Sequence, residues 1–259
     1  MQPVISLRNV TKRFNGELAV DDISMSVASG EIVALLGQTG AGKSTILNLI
    51  LGQLEATSGE VIVDGCDPLR EFDALRGKVA VSFQSDRLLP WRTARQNVEL
   101  GLEILHVAKK DRPSAAAEWL QRVKLTAQHH DKYPHQLSGG MRQRVSLARA
   151  LVVDPYIVLL DESFSQLDHA TSKALRQDFL ELVRQFRKTC VLITHKIDDA
   201  LEMADRVIVL EPPGRIRLEL NLSNERRSDP KWIAGVSERI AAEMARSSGG
   251  HAELAQHEI

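Results

Sequence analysis

At 259 residues with 43% hydrophobic content, the chain can enclose one large globular core or two closely joined subdomains, which excludes a disordered reading. Its 33 Lys+Arg against 34 Asp+Glu leave a formal net charge of -1, so no global field exists to hold nucleic acid or an anionic bilayer, and no nucleic-acid partner is expected. Cys66 and Cys190 lie far apart without a C-x-x-C pattern, and no run approaches the roughly 20 apolar residues of a membrane span, so the expectation is a soluble chain of a reducing compartment that reaches a membrane only through a partner.

In chain order, Ile5 to Phe14 and Ile23 to Val27 are β-rich runs separated by the turn Asn15-Gly16, which predicts antiparallel strands. Glu31 to Leu36 reads as a buried strand, a Gly-rich loop follows, and Ser44 to Leu54 has the length and apolar content of a helix. Strands are predicted at Glu60 to Val63 and Lys78 to Phe83. From Thr93 to about Val152 the texture is helical, with Leu100, Ile104, Val107, Trp119, Leu120 and Val123 at helical spacing. Strands return at Tyr156 to Leu160, Cys190 to Thr194 and Arg206 to Leu210, with helices at Ser172 to Arg187 and Asp198 to Met203 between them, the alternation of a mainly parallel sheet. Beyond Pro212-Pro213 the chain turns polar and irregular, so residues 221–259 are expected to be a loosely packed tail with one helix around Ser237 to Arg246.

Three stretches carry chemistry. Gly37-Gln38-Thr39-Gly40-Ala41-Gly42-Lys43-Ser44-Thr45 follows a predicted strand and opens a predicted helix, the context of a P-loop. There, glycines let backbone N–H groups converge on phosphate oxygens, Lys43 reaches the β- and γ-phosphates, Ser44 ligates Mg²⁺, and the helix N-terminus adds partial positive charge. Ile157 to Glu162 reads as a buried strand ending in two acids, whose side chains alternate in direction and so can take separate tasks. Phosphoryl transfer from ATP needs a metal ligand, assigned to Asp161, and a water-polarising group, assigned to Glu162. Leu137-Ser138-Gly139-Gly140-Met141-Arg142-Gln143 stands directly before a helix expected over Arg144 to Leu151. Alone, Ser-Gly-Gly is a serine cap with a flexible turn, but it can also offer a hydroxyl and N–H groups as a second anion site.

The P-loop, the Leu137–Gln143 stretch and the strand ending Asp161-Glu162, in this order, resemble the ATP-binding cassette (ABC) family. That resemblance implies an α/β P-loop NTPase core with a mainly parallel sheet, an N-terminal antiparallel β subdomain and an α-helical subdomain inserted at about 86–152 of a cassette spanning 1–220. It also implies roles for further residues: Phe14 stacks on adenine, Gln84 contacts Mg²⁺ or water, Gln143 belongs with Ser138, Gly139 and Gly140 at the nucleotide, Asp168 ends a D-loop at a dimer interface, and His195 senses the γ-phosphate. Catalysis then falls to Glu162, His195, Gln84 and Lys43, with Ser44, Gln84 and Asp161 around the metal. The implied mechanism is a homodimer with each ATP held by the P-loop of one copy and by Ser138 and its glycine amides of the other, closed by ATP and reopened by hydrolysis.

Leu88-Leu89-Pro90-Trp91 at the entry to the helical stretch, Gly140 to Val145, and Asp205 to Leu210 further resemble the nitrate, sulfonate and taurine branch of bacterial importers. This implies separate transmembrane permease subunits, a periplasmic or extracellular solute-binding protein, a small anionic solute and a place on the cytoplasmic face of the inner membrane. The likeness covers about Ser6 to Ile216 and has four departures: Ser163 stands for a common Pro, Gln166 for a small residue, and Gln96 and Lys196 for Asp. Two other readings are an exporter or lipid-moving complex, and a non-transport ABC ATPase. The single cassette and the compact interval from Gln84 to Ser138 argue against the second.

Overall fold

In the computed structural model, which describes residues 3–222, 227 and 229–249, the elements in chain order are β1 (Ile5–Phe14), β2 (Glu17–Val27), β3 (Ile32–Gly37), α1 (Lys43–Ile50), β4 (Ser58–Val63), β5 (Val79–Ser82), α2 (Ala94–Ile104), α3 (Arg112–Arg122), α4 (Gly139–Leu151), β6 (Ile157–Asp161), α5 (His169–Gln185), β7 (Thr189–Thr194), α6 (Ile197–Met203), β8 (Arg206–Glu211), β9 (Arg215–Asn221) and α7 (Pro230–Gly249). The chain forms two compact units, Met1–Ala74 with Val191–Ile259, and Leu75–Cys190.

In the first unit β1 and β2 form a hairpin whose turn residues Asn15 and Gly16 both take positive φ, 49° and 92°, the demand of a tight turn between twisted strands. β2 begins at Glu17 rather than at the predicted Ile23. Its first half lacks a two-residue alternation, since half-buried Leu18 and Ala19 and buried Val20 are flanked by Glu17 and Asp21-Asp22, but its pairing with β1 continues to Phe14 opposite Glu17 and so extends the strand. β4 pairs with the other edge of β1 and completes an antiparallel sheet.

All six residues of β3 are buried, as expected of a strand covered on both faces, and β3 pairs in parallel with β8. β9, in a stretch expected to be irregular, pairs antiparallel with β8. Its Arg-Ile-Arg-Leu-Glu-Leu-Asn alternation exposes one face and only half-buries the other, which weakened the strand signal. The tail also departs from expectation. α7 is a docked helix longer than Ser237 to Arg246, with Ile240 fully buried and Arg217 Nε donating to Glu243 Oε2 at 2.9 Å. Ile233, Val236, Ile240 and Met244 recur at three- and four-residue steps, which gives the helix one apolar stripe despite its polar composition.

In the second unit β5 and β6 pair in parallel, from Val79 opposite Ile157 to Ser82 opposite Leu160. α2 packs on α3 and α4. It opens with a reciprocal cap: Thr93 Oγ1 accepts from Gln96 N at 3.3 Å, and Gln96 Oε1 accepts from Thr93 N at 3.0 Å. Gln96, a departure from the importer pattern, is therefore used as a helix-start residue. One turn on, the fully buried Asn97 accepts from Leu89 N at 2.7 Å and donates to the carbonyls of Leu89, Arg92 and Thr93 at 3.2, 3.0 and 3.0 Å. A single amide thus holds the loop that presents Trp91, which is 70% exposed. Asn97→Ala leaves several backbone groups without partners and should destabilise the protein by about 3 kcal/mol, read as a lower urea midpoint. A midpoint equal to that of the wild type would show that water replaces the amide freely.

Candidate nucleotide-binding site

The phosphate-loop residues lie in the first unit, between β3 and α1. Gly37 ends the strand where any Cβ would stand 2.6 Å from the carbonyl oxygen of Leu210 on β8. The chain then turns through Gly40 and Gly42, with φ of 85° and 78°, and Gly42 caps α1 from the left-handed region. Gln38, Thr39, Gly40 and Ser44 are exposed, Ala41 is buried, and Thr45 is half-buried. Lys43 is 7% exposed, and its ammonium donates to the carbonyls of Gly37 and Gln38 at 2.7 and 2.8 Å, so it lies curled within its own loop. The loop also has a neighbour for which no sequence signal existed: Gln38 Nε2 donates to the carbonyl of Met244 in α7 at 3.2 Å.

Two other predicted residues of this unit stand apart in sequence. Phe14 lies at the end of β1, 43% exposed, with the Lys12 ammonium 5.0 Å from its ring centroid. His195 is exposed directly after β7, in a turn closed by Lys196 N donating to Thr194 Oγ1 at 3.0 Å, while that hydroxyl donates to the buried Asp199 at 3.4 Å. Lys196 thus occupies the position before α6 without a side-chain capping bond.

The second unit brings Gln84 and Glu162 together. Gln84 follows β5 and Glu162 follows β6, and because the two strands are parallel neighbours both side chains emerge at the same sheet end. Gln84 Nε2 donates to Glu162 Oε2 at 3.3 Å and to Ser165 Oγ at 3.4 Å. Glu162 takes a φ of 47°, and its carbonyl accepts from Ser165 N and Oγ at 3.0 and 2.8 Å, closing the turn. Asp161, at the end of β6, is half-buried. Beyond Gln84 the loop is fastened to α4. Arg142 Nε donates to Asp86 Oδ2 at 2.9 Å, and Arg149 donates to the carbonyls of Asp86 and Arg87, both at 2.7 Å.

Ser138, Gly139 and Gly140 start α4, which begins at Gly139 rather than at Arg144. Ser138 is exposed and its Oγ accepts from Met141 N at 3.3 Å. A Cβ on Gly140 would come 2.7 Å from the Thr171 methyl of α5, so a larger residue there would force that side chain to shift. Gln143 departs from the other three, since it is only 5% exposed and its Nε2 is buried without a hydrogen-bond partner. Asp168 caps α5 by accepting from Thr171 N at 3.0 Å, and that bond, with one from the Thr171 hydroxyl, holds its carboxyl below the usual aspartate range.

A glycine loop leading from a buried strand into a helix, an amide and a carboxylate joined at parallel strand ends, and a serine-capped Gly-Gly helix start together define a nucleotide-hydrolysing cassette. The family description "ABC transporter" matches residues 20–165. The taurine import ATP-binding protein TauB of Yersinia pestis bv. Antiqua is 39% identical over 244 residues, covering 89% of this chain and 93% of that protein. The nitrate import ATP-binding protein NrtD of Synechococcus elongatus is 41% identical over 195 residues, 74% of this chain and 69% of that one. Among solved structures, the ATP-binding cassette MJ0796, dimeric in a post-hydrolysis state with ADP and Pi, superposes with a TM-score of 0.76 at 34% identity over 85% of this chain and 99% of that chain. The chain belongs to the ABC transporter ATPase family, in its nitrate, sulfonate and taurine branch, and has the α/β P-loop NTPase fold with an N-terminal antiparallel sheet. It is an ATP-binding and ATP-hydrolysing protein.

Gly42→Ala would place a methyl 2.6 Å from the Ala19 carbonyl oxygen and 3.0 Å from Gly214 Cα, at a φ that side chains resist. It should cost about 2–4 kcal/mol of stability and weaken nucleotide binding, checked by urea unfolding and by titration with a fluorescent ATP analogue. Wild-type values in both would show that the loop start relaxes without strain.

Proposed function

We propose that this chain is the ATPase subunit of an importer that moves a small anion such as nitrate, a sulfonate or taurine through separate permease subunits supplied by a solute-binding protein. It would work as a homodimer at the cytoplasmic face of the bacterial inner membrane. The importer names of the relatives support the direction of transport. The exposed Trp91, on a loop pinned from within by Asn97, suits a rigid docking point for a permease. Among the described residues no helix is long and apolar enough to cross a membrane, which fits a subunit that depends on such a partner. In this reading residues 1–220 are the cassette, 86–152 its helical subdomain, and 221–259 a tail.

The observation that carries the hydrolytic assignment is the Gln84–Glu162 contact at 3.3 Å. Glu162 accepts the proton of the attacking water, and Gln84, which donates to the carboxylate, orients it toward that water. Lys43 and the loop amides of Gly37–Thr45 bind the β- and γ-phosphates, His195 contacts the γ-phosphate, and Phe14 stacks on the adenine. The Ser138 hydroxyl and the amides at Gly139 and Gly140 close on the γ-phosphate of the nucleotide held by the other copy, with Asp168 at the same interface. Gln143 supports this start from within α4 rather than by touching nucleotide, given its burial. The hydroxyl of Ser44, the amide oxygen of Gln84 and the carboxylate of Asp161 are each hard oxygen donors of the kind Mg²⁺ prefers, and would be its ligands. Bound there, Mg²⁺ would neutralise charge on the phosphates.

Glu162→Gln removes the base but keeps shape, so it should retain ATP, accumulate as a dimer and lose about 10²- to 10⁴-fold in turnover, measured by phosphate release and light scattering. Turnover near wild type would refute the assignment of the base, and a strictly monomeric ATP complex would refute the dimer. Lys43→Ala should weaken ATP binding by about tenfold or more in calorimetric titration, and an unaltered isotherm would remove Lys43 from the phosphates. Pull-down of the tagged protein from membranes should recover a permease with a binding-protein partner, whereas recovery of an exporter would favour the other transport reading.

A further inference from the structure

We propose that Ser163 is a positioning residue for hydrolysis, whose buried hydroxyl ties the loop carrying Glu162 to the strand that delivers Gln84. The inference rests on the reading of Glu162 as the base. Ser163 is 2% exposed, and its Oγ donates to the carbonyl of Ser82 at 2.8 Å. Ser82 is the last residue of β5, two residues short of Gln84.

The placement of this bond matters because of where the ladder stops. The β5–β6 register runs out at Ser82 opposite Leu160, before the chain reaches either Gln84 or Glu162. Past that point the β6 segment swings through Glu162 at a φ of 47°, a conformation that a side-chain-bearing residue keeps only when its surroundings impose it. Ser165 holds the turn from one side, through the Glu162 carbonyl. Ser163 holds it from the other, by a cross-strand bond beyond the end of the ladder. The Gln84–Glu162 contact at 3.3 Å is therefore bracketed by Ser163 on Ser82 behind it and by Ser165 in front.

A proline at this position, common in the importer pattern, has no hydroxyl and could not make this bond. The chain thus fixes the turn by a hydrogen bond where the pattern fixes it by a ring. Because the bond is short and buried, its loss shifts the relation of Gln84 to the carboxylate, while the phosphate loop, which lies on other elements, is untouched.

The test uses the full-length protein. Ser163→Ala should lower kcat about five- to tenfold while ATP affinity stays within about twofold of wild type, the signature of an interaction that matters only at the chemical step. Ser163→Thr, which keeps the hydroxyl, should recover most of the rate. Ser163→Ala combined with Gln84→Ala should be no slower than Gln84→Ala alone, because both act through one contact. An unaltered kcat in Ser163→Ala, with Glu162→Gln inactive in the same assay, overturns the inference and leaves the base in place. A fall in kcat and affinity together, without rescue by Thr and additive with Gln84→Ala, overturns it in favour of general damage to the fold. Normal turnover in Glu162→Gln removes the base and the inference with it.

Discussion

The glycine loop between β3 and α1 depends on a backbone that approaches other backbone without side chains between. Gly37 meets the Leu210 carbonyl at the end of β8, and Gly42 lies against Ala19 and Gly214 at the start of α1. These contacts fix where the strand must stop and the helix must begin, and Lys43 at the first turn of α1 folds back onto the carbonyls of Gly37 and Gln38. The glycines serve close packing as much as flexibility, since a single methyl at either position would meet a carbonyl oxygen at 2.6 Å.

The second unit uses a different device, a polar network at the ends of two parallel strands. β5 and β6 are short and apolar, and their pairing only aims the chain. Hydrogen bonds then set the side chains: Gln84 to Glu162, Ser165 to the Glu162 carbonyl, and Ser163 to Ser82. The same loop is secured farther on by Arg142 and Arg149 of α4, so Asp86 and Arg87, just after Gln84, are held by the helix that Ser138 caps. Motion of α4 would thus be felt in the loop after Gln84 through part-buried, charge-assisted bonds.

The departures from the importer pattern are mostly local solutions to local problems. Gln96 completes the cap of α2, Ser163 bonds to Ser82, and Lys196 stands at the start of α6. Nothing in the structure explains Gln166. α7 adds an element outside the pattern, with Ile240 in the core of the first unit and Met244 against Gln38 of the glycine loop, so this helix of the C-terminal tail is packed into the first unit.

The sequence alone determined the motifs and the strands that carry them, because glycine spacing, a buried strand ending in two acids and a serine before Gly-Gly each have a local physical meaning. It also set the approximate positions of α1, α4, α5 and α6, the helical texture that holds α2 and α3, and the buried strands, where burial on two faces leaves continuous apolar runs. β9 and the full length of α7 escaped it, since a half-exposed edge strand and a polar helix with one narrow stripe bury too little to mark themselves. Tertiary structure alone decided that Gln143 turns inward, that Ser163 reaches Ser82, and that Met244 meets Gln38. Those contacts join residues 81 and 206 positions apart in the latter two cases, and no local propensity encodes which distant carbonyl a side chain will find.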